Sequence, residues 1–152
     1  MVTIDGDTST NDMVLILANG AASKKSITSG TPEADVFCEA LKELCDYLSY
    51  QLVKDAEGSS KVFSVSIEGA RSVEEARLAA RSIAGSTLVK SAIHGNDPNW
   101  GRVVAAAGYS GAELDVSKVS FSINDITIME AGTPIPFHRD SVIAIMSRER
   151  VN

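Results

Sequence analysis

The chain has 152 residues, 44% of them hydrophobic and 22% charged, with a formal net charge of −6. That length suits one compact domain or two small ones, and the composition excludes collagen, a disordered tail and a disulfide scaffold. The acidic balance argues against a nucleic-acid backbone binder, aromatics at 5% leave few stacking platforms, and no apolar run approaches the ~18–20 residues of a membrane span.

The first residues lack a basic segment followed by an apolar core, so no signal peptide is expected and a cytoplasmic location follows. Val2 and Ile4 precede a polar run, Asp5-Gly6-Asp7-Thr8-Ser9-Thr10-Asn11-Asp12. Met13 to Ala18 is a short apolar run closed by Asn19-Gly20, the pattern of a buried strand. Ala21 to Thr31, rich in Ser, Thr, Lys and Gly, reads as a loop.

A first long helix is predicted from Pro32, with Thr31 as N-cap and Glu33 and Asp35 at the positive end of its dipole. Val36, Phe37, Ala40, Leu41, Leu44, Cys45, Leu48 and Leu52 recur at three- and four-residue steps and make one wide apolar face. The helix should stop near Glu57-Gly58. Cys38 and Cys45 lie two turns apart on it, ~10.5 Å, too far for a bridge. They read as two buried thiols.

Lys61 to Glu68 alternates as a half-buried strand. Ser72, with Glu75 three places on, has the capping-box spacing and opens a second helix whose Ala-rich face runs through Val73, Ala76, Ala80, Ile83, Ala84 and Leu88. Asp97 and Pro98 suit the cap and first turn of a short helix ending at Gly108. Val119 to Ile123 and Ile126 to Met129 form a hairpin about Asn124-Asp125, and Gly132-Thr133-Pro134 breaks the chain again. Val142 to Met146 suits a strand or a helix start. The order predicts an α+β fold: mixed sheets packed with two long helices and one short one. A boundary at residue 58 divides core-side strands and the first helix from a C-terminal α/β portion, 59–152, though both could form one compact domain.

Asp5, Asp7 and Asp12 could wall a polar site, form a locally satisfied turn, or ligate magnesium; an EF-hand fails because Thr10 and Ile16 fall where Gly and Glu belong. The two histidines, His94 and His138, offer little for a triad, and Asp97, near His94, is wanted as a cap. Asp55 and Glu57 are more unusual. Carboxylates at a helix C-terminus meet the negative end of the dipole. Either both are simply solvated, or the broken rule marks a site where Glu57 meets the ammonium of an amino-acid substrate or assists proton transfer.

Three blocks in a fixed order make a larger pattern. They are Asp5 to Asp12 followed by Val14-Leu15-Ile16-Leu17-Ala18-Asn19-Gly20-Ala21, then Asp55-Ala56-Glu57-Gly58, then Lys90-Ser91-Ala92-Ile93-His94-Gly95-Asn96-Asp97-Pro98-Asn99-Trp100-Gly101-Arg102. Together they resemble the ornithine acetyltransferase family of arginine biosynthesis, also called the glutamate N-acetyltransferase family, over Met1 to about Glu130.

The resemblance implies a precursor that cleaves itself into two chains, leaving an N-terminal threonine nucleophile on the second. That threonine takes acetyl from N-acetylornithine, and in some members from acetyl-CoA, and passes it to glutamate. No further cofactor is implied. This sequence begins inside the second chain. Thr3, Thr8 and Thr10 do not match the cleavage motif, so no catalytic residue carries over. Glu57 is the one substrate contact that does. The sequence also stops short of the C-terminal Asn and Ser or Thr that contact substrate in the family.

The expectation is a piece of the second chain, inactive in acetyl transfer when alone. Its partners are the missing first chain and the N-terminal part of the second, in an oligomer of chain pairs. A non-catalytic assembly domain is the alternative, and a magnesium-dependent phosphotransferase using the three aspartates a weaker one.

Overall fold

The structure is a computed structural model describing residues 1–23 and 25–152; Lys24, within the loop expected over Ala21 to Thr31, lies outside the described residues. Five helices occur among them: α1 (Pro32–Lys54), α2 (Val73–Gly85), α3 (Thr87–His94), α4 (Trp100–Gly108) and α5 (Arg139–Met146). The strands are β1 (Val62–Phe63), β2 (Phe121–Ile123), β3 (Ile126–Glu130), β4 (Thr133–Pro134) and β5 (Arg150–Val151). β1 and β5 pair in parallel, while β2, β3 and β4 form an antiparallel sheet. The architecture is mixed α and β, with small sheets and more, shorter helices than the two long and one short expected.

The helix starts follow local chemistry. Thr31 Oγ1 accepts from Ala34 N–H at 3.3 Å, and Ser72 Oγ from Glu75 N–H at 3.2 Å. Each satisfies a backbone donor that the first turn leaves orphaned. The expected second helix divides because Ser86 ends α2 in extended geometry and caps α3, its Oγ accepting from Val89 N–H at 3.3 Å. α4 starts two residues later than expected. Asn99 is its cap, Oδ1 accepting from Arg102 N–H at 3.1 Å, while Asp97 and Pro98 stay in the preceding turn. Val142 to Met146 resolves as helix, within α5, and His138 caps it through Nδ1.

All buried residues lie between Ala79 and Val151. One core cluster joins Ile123 and Ile128 of the antiparallel sheet to Val142 and Met146 of α5 and Val151 of β5. The other joins Ile83, Val89, Ala106 and Ala107 of α2, α3 and α4. Phe63 and Ile93 pack against both and weld them into one body. Of the Ala-rich face expected, Ile83 is buried and Ala76, Ala80 and Ala84 are half-buried, but Val73 and Leu88 are exposed; beside it Ser82 Oγ donates to the Ala106 carbonyl of α4 at 2.6 Å.

Residues 1–58 contribute nothing to this core. The Met13 to Ala18 run forms no strand, and Val14 is 92% and Leu17 86% exposed. α1 buries no residue, so Cys38 and Cys45 are exposed thiols rather than buried ones. One turn before its C-terminal end α1 touches the core body, where Tyr50 lies under the Arg150 guanidinium, 5.7 Å from ring centroid to Cζ. Periodicity identified these apolar segments, but burial needs an opposing surface, and none of the described residues covers them.

Candidate functional site

α1 ends at Lys54 with Asp55 as its C-cap, a turn earlier than expected; Asp55 N–H donates to the Gln51 carbonyl at 2.9 Å. Glu57 therefore follows the helix rather than ending it. Gly58, at φ 71, reverses the chain in the left-handed region that glycine adopts freely. Glu57 is exposed and makes no hydrogen bond or ion pair among the described residues, so its carboxylate is free to receive a cation.

Just beyond it, Ser60 and Lys61 tie this turn to α3. Ser60 Oγ lies 3.4 Å from His94 Nδ1. Lys61 Nζ donates to the Ile93 carbonyl at 3.1 Å, to the Met146 carbonyl at 2.8 Å and to Asn96 Oδ1. Ile93 and Met146 stand in the last turns of α3 and α5, where carbonyls lack intrahelical donors and the dipole is negative. One ammonium thus satisfies two helix ends. Sequence reasoning missed Lys61 because its partners lie 32, 35 and 85 residues away.

The loop that follows α3 is internally braced. Asn96 adopts φ 54, Asp97 N–H donates to the Ala92 carbonyl at 2.8 Å, and Asn99 Nδ2 donates to Asp97 Oδ2 at 3.1 Å. Arg139 Nη2 approaches Asp97 Oδ1 at 3.7 Å, and Arg102 Nη1 donates to the Leu88 carbonyl at 3.0 Å. His94 is a hydrogen-bonded residue at a helix end, with no carboxylate hydrogen-bonded to its ring among the described residues, which leaves no triad about it.

The polar N-terminal run follows directly on Ile4, whose carbonyl accepts from Lys90 Nζ of α3. Its acids bond locally: Asp5 Oδ1 accepts from Asp7 N–H at 2.8 Å, and Asp12 Oδ2 from Ser9 N–H at 3.3 Å. No three His, Cys, Asp or Glu side chains among the described residues group in metal-holding geometry. No helix among them is long and apolar enough to cross a membrane. Ile4, just before the first block, and Ser60 and Lys61, just after the second, thus bond to the third at Lys90, His94, Ile93 and Asn96.

Comparison with known proteins bears on the same blocks. The model of the ArgJ family matches residues 1–152. The arginine biosynthesis bifunctional protein ArgJ of Symbiobacterium thermophilum is 43% identical over 151 residues, covering 99% of this chain and 38% of that protein. Its Geobacillus kaustophilus counterpart is 41% identical over 150 residues, covering 99% of this chain and 37% of that one. The crystal structure of arginine biosynthesis bifunctional protein ArgJ from Bacillus halodurans superposes with a TM-score of 0.91 at 38% identity, over 98% of this chain and 71% of that chain. The chain spans somewhat under two fifths of the length of the curated relatives it matches. With the family model spanning every residue and the same fold found at 38% identity, the chain belongs to the ArgJ family.

Proposed function

We propose that this chain supplies part of the second chain of an ornithine acetyltransferase that moves acetyl from N-acetylornithine to glutamate, with acetyl-CoA as a further donor in a bifunctional form. The observation that carries this reading is the family match over residues 1–152.

The chemistry is two acyl transfers. The hydroxyl of a threonine upstream of this chain attacks the acetyl carbonyl, the amide C–N bond breaks, and the ornithine nitrogen leaves with a proton. The glutamate amine then attacks the resulting ester, and the threonine oxygen leaves as the hydroxyl. Each tetrahedral oxyanion needs fixed donors, which the reading assigns to the first chain. Glu57 attracts the ammonium group of the amino-acid substrate, since its carboxylate is exposed and unpaired. The apolar surface at Met13 to Leu17 and along α1 suits cover by the partner chain in a cytoplasmic oligomer of chain pairs.

The test is co-production with the first chain and the start of the second, followed by assay of acetyl transfer from N-acetylornithine to glutamate. Glu57→Ala should raise KM for the amino-acid substrate while leaving thermal stability unchanged. Undiminished kcat/KM in that variant removes Glu57 from the site, and no transfer by the assembled unsubstituted protein refutes the reading.

A further inference from the structure

Glu57 stands at the second position of a tight turn, Ala56 to Ser59. Ser59 N–H donates to the Ala56 carbonyl at 2.9 Å and closes it, and Gly58 takes the left-handed conformation at the third position. The arm entering the turn is α1, which buries no residue and meets the core body at Tyr50. The arm leaving it runs into β1, a strand of two residues. Among the described residues, every hydrogen bond from 51–61 to the core body belongs to Ser60 or Lys61.

Lys61 supplies most of that anchorage. Its half-buried ammonium has three protons and three acceptors: the Ile93 carbonyl near the end of α3, Asn96 Oδ1 in the turn after it, and the Met146 carbonyl at the end of α5. None of the three is a carboxylate, and no ion pair of Lys61 occurs among the described residues. With every proton committed inward, this ammonium has none left to offer a substrate. The Glu57 carboxylate, four positions earlier, is the opposite case: exposed and without a partner.

We propose that Lys61 is a positioning residue for Glu57: by binding the ends of α3 and α5 it fixes where the Glu57 carboxylate stands, and it does not itself touch substrate. This rests on the reading of Glu57 as the group that attracts the substrate's ammonium. Asn96 belongs to the same device, its side-chain oxygen held on the Lys61 ammonium from a backbone at φ 54. Without that ammonium the turn hangs between an unburied helix and a two-residue strand, and its carboxylate samples a wider volume. A substrate must then restrict that freedom on binding. The loss falls on ground and transition states alike, so KM rises while kcat holds.

The experiment uses the assembled protein, co-produced with the first chain and the start of the second, and reads KM and kcat for acetyl transfer from N-acetylornithine to glutamate. The KM followed is the one that Glu57→Ala raises. Lys61→Met should raise it about tenfold and change kcat by less than about twofold. Asn96→Gly removes one acceptor and puts there a residue that adopts positive φ freely; it should raise the same KM about threefold. In the Glu57→Ala background neither substitution should raise it further, because a positioning residue acts through the group it positions. Gly132→Ala is the stability control: in the β3–β4 turn its added Cβ meets the Val116 carbonyl oxygen at 2.6 Å, so it weakens the fold through other atoms and should leave KM unchanged.

A KM rise in Glu57→Ala with none in Lys61→Met or Asn96→Gly overturns the positioning role and leaves the reading of Glu57 standing. Effects that multiply in the double variants overturn it too, as does a matching KM rise in Gly132→Ala. An unchanged KM in Glu57→Ala removes Glu57 from the site, and the positioning role falls with it. Should Lys61→Met fail to assemble, Asn96→Gly and its double variant decide by the same criteria.

Discussion

Gly132 offers the sharpest test of the packing described above. It sits with Ala131 in the two-residue turn between β3 and β4, where both residues have positive φ, 44° at Ala131 and 76° at Gly132. That conformation matches the twist of a tight hairpin. An added Cβ at Gly132 would lie 2.6 Å from the Val116 carbonyl oxygen and 2.8 Å from Ser117 Cα. Both are backbone atoms of a short 3₁₀ turn, so no side chain can swing aside. The Gly132 N–H also donates to the Val119 carbonyl at 2.8 Å. Left-handed backbone costs a non-glycine residue ~1–2 kcal/mol. Reduced freedom of the unfolded chain returns ~0.4–1 kcal/mol of that. Displacing the turn adds strain and weakens a hydrogen bond with a net value of ~0.5–1.5 kcal/mol. Gly132→Ala should therefore lose about 2–4 kcal/mol. Gly69→Ala is the control, since Gly69 has nearly the same φ, 71°, but nothing within 4 Å of its added Cβ. It should lose only ~1 kcal/mol. At roughly 2–4 °C per kcal/mol for a chain of this size, thermal unfolding separates the two variants. Equal Tm losses would refute the contact between the hairpin and the 3₁₀ turn.

Met146 is fully buried between Ile128 and Val142, and Met146→Ala should cost ~2–5 kcal/mol by urea unfolding, through lost burial and the cavity left behind. Lys61→Met keeps the stem but leaves the Met146 carbonyl without its donor and the Ile93 carbonyl with the Asn96 N–H at 3.3 Å; ~1.5–3 kcal/mol should be lost, and amides in the last turns of α3 and α5 should exchange faster. The Asp115 carboxyl is held below its ordinary value chiefly by the Ser117 hydroxyl and then by Lys118. A depressed folded value means this group stabilises the fold above the unfolded carboxylate range and loses that contribution as pH falls through the folded value. Asp115→Asn should flatten the acid limb of the stability curve below about pH 4, and a limb unchanged by the substitution would remove Asp115 as its source.

Local signals proved reliable where one turn of chain held both partners. The Thr31 and Ser72 caps each bond a backbone amide three residues on, and the Asn124-Asp125 hairpin closes between adjacent strands. Reading failed where two local candidates competed or where the partner was distant. Asp97 and Asn99 are both good caps, and the structure uses Asn99 because Asp97 is held by the Ala92 carbonyl and by Asn99 itself. Gly85-Ser86-Thr87 carries a visible stop and start signal, overlooked because apolar periodicity ran on to Leu88. Nothing near Lys61 in sequence announces the two helix ends it joins. Glu57, read as an acid at the end of the first helix, lies beyond its C-cap Asp55, and the turn it occupies is tied to α3 by contacts that only the fold displays.

The strand expected at Met13 to Ala18 and the burial expected along α1 went astray for a different reason. Apolar alternation states which face wants cover, and it is silent about what provides the cover. Met13 to Leu17, the α1 face and Lys61 to Glu68 all carry strong apolar patterns, and all three lie at surfaces the described residues leave open. Within one polypeptide this coincidence has a simple physical source: burying an apolar face stabilises a fold by roughly 25 cal/mol per Å², so such faces arise where an opposing surface exists. Lys61 to Glu68 is the most specific of the three, because Val62 and Phe63 already hold a ladder to β5 and Val65 and Ile67 continue its parity. α1 offers apolar area without register, and the Met13 run offers a strand sequence without a ladder.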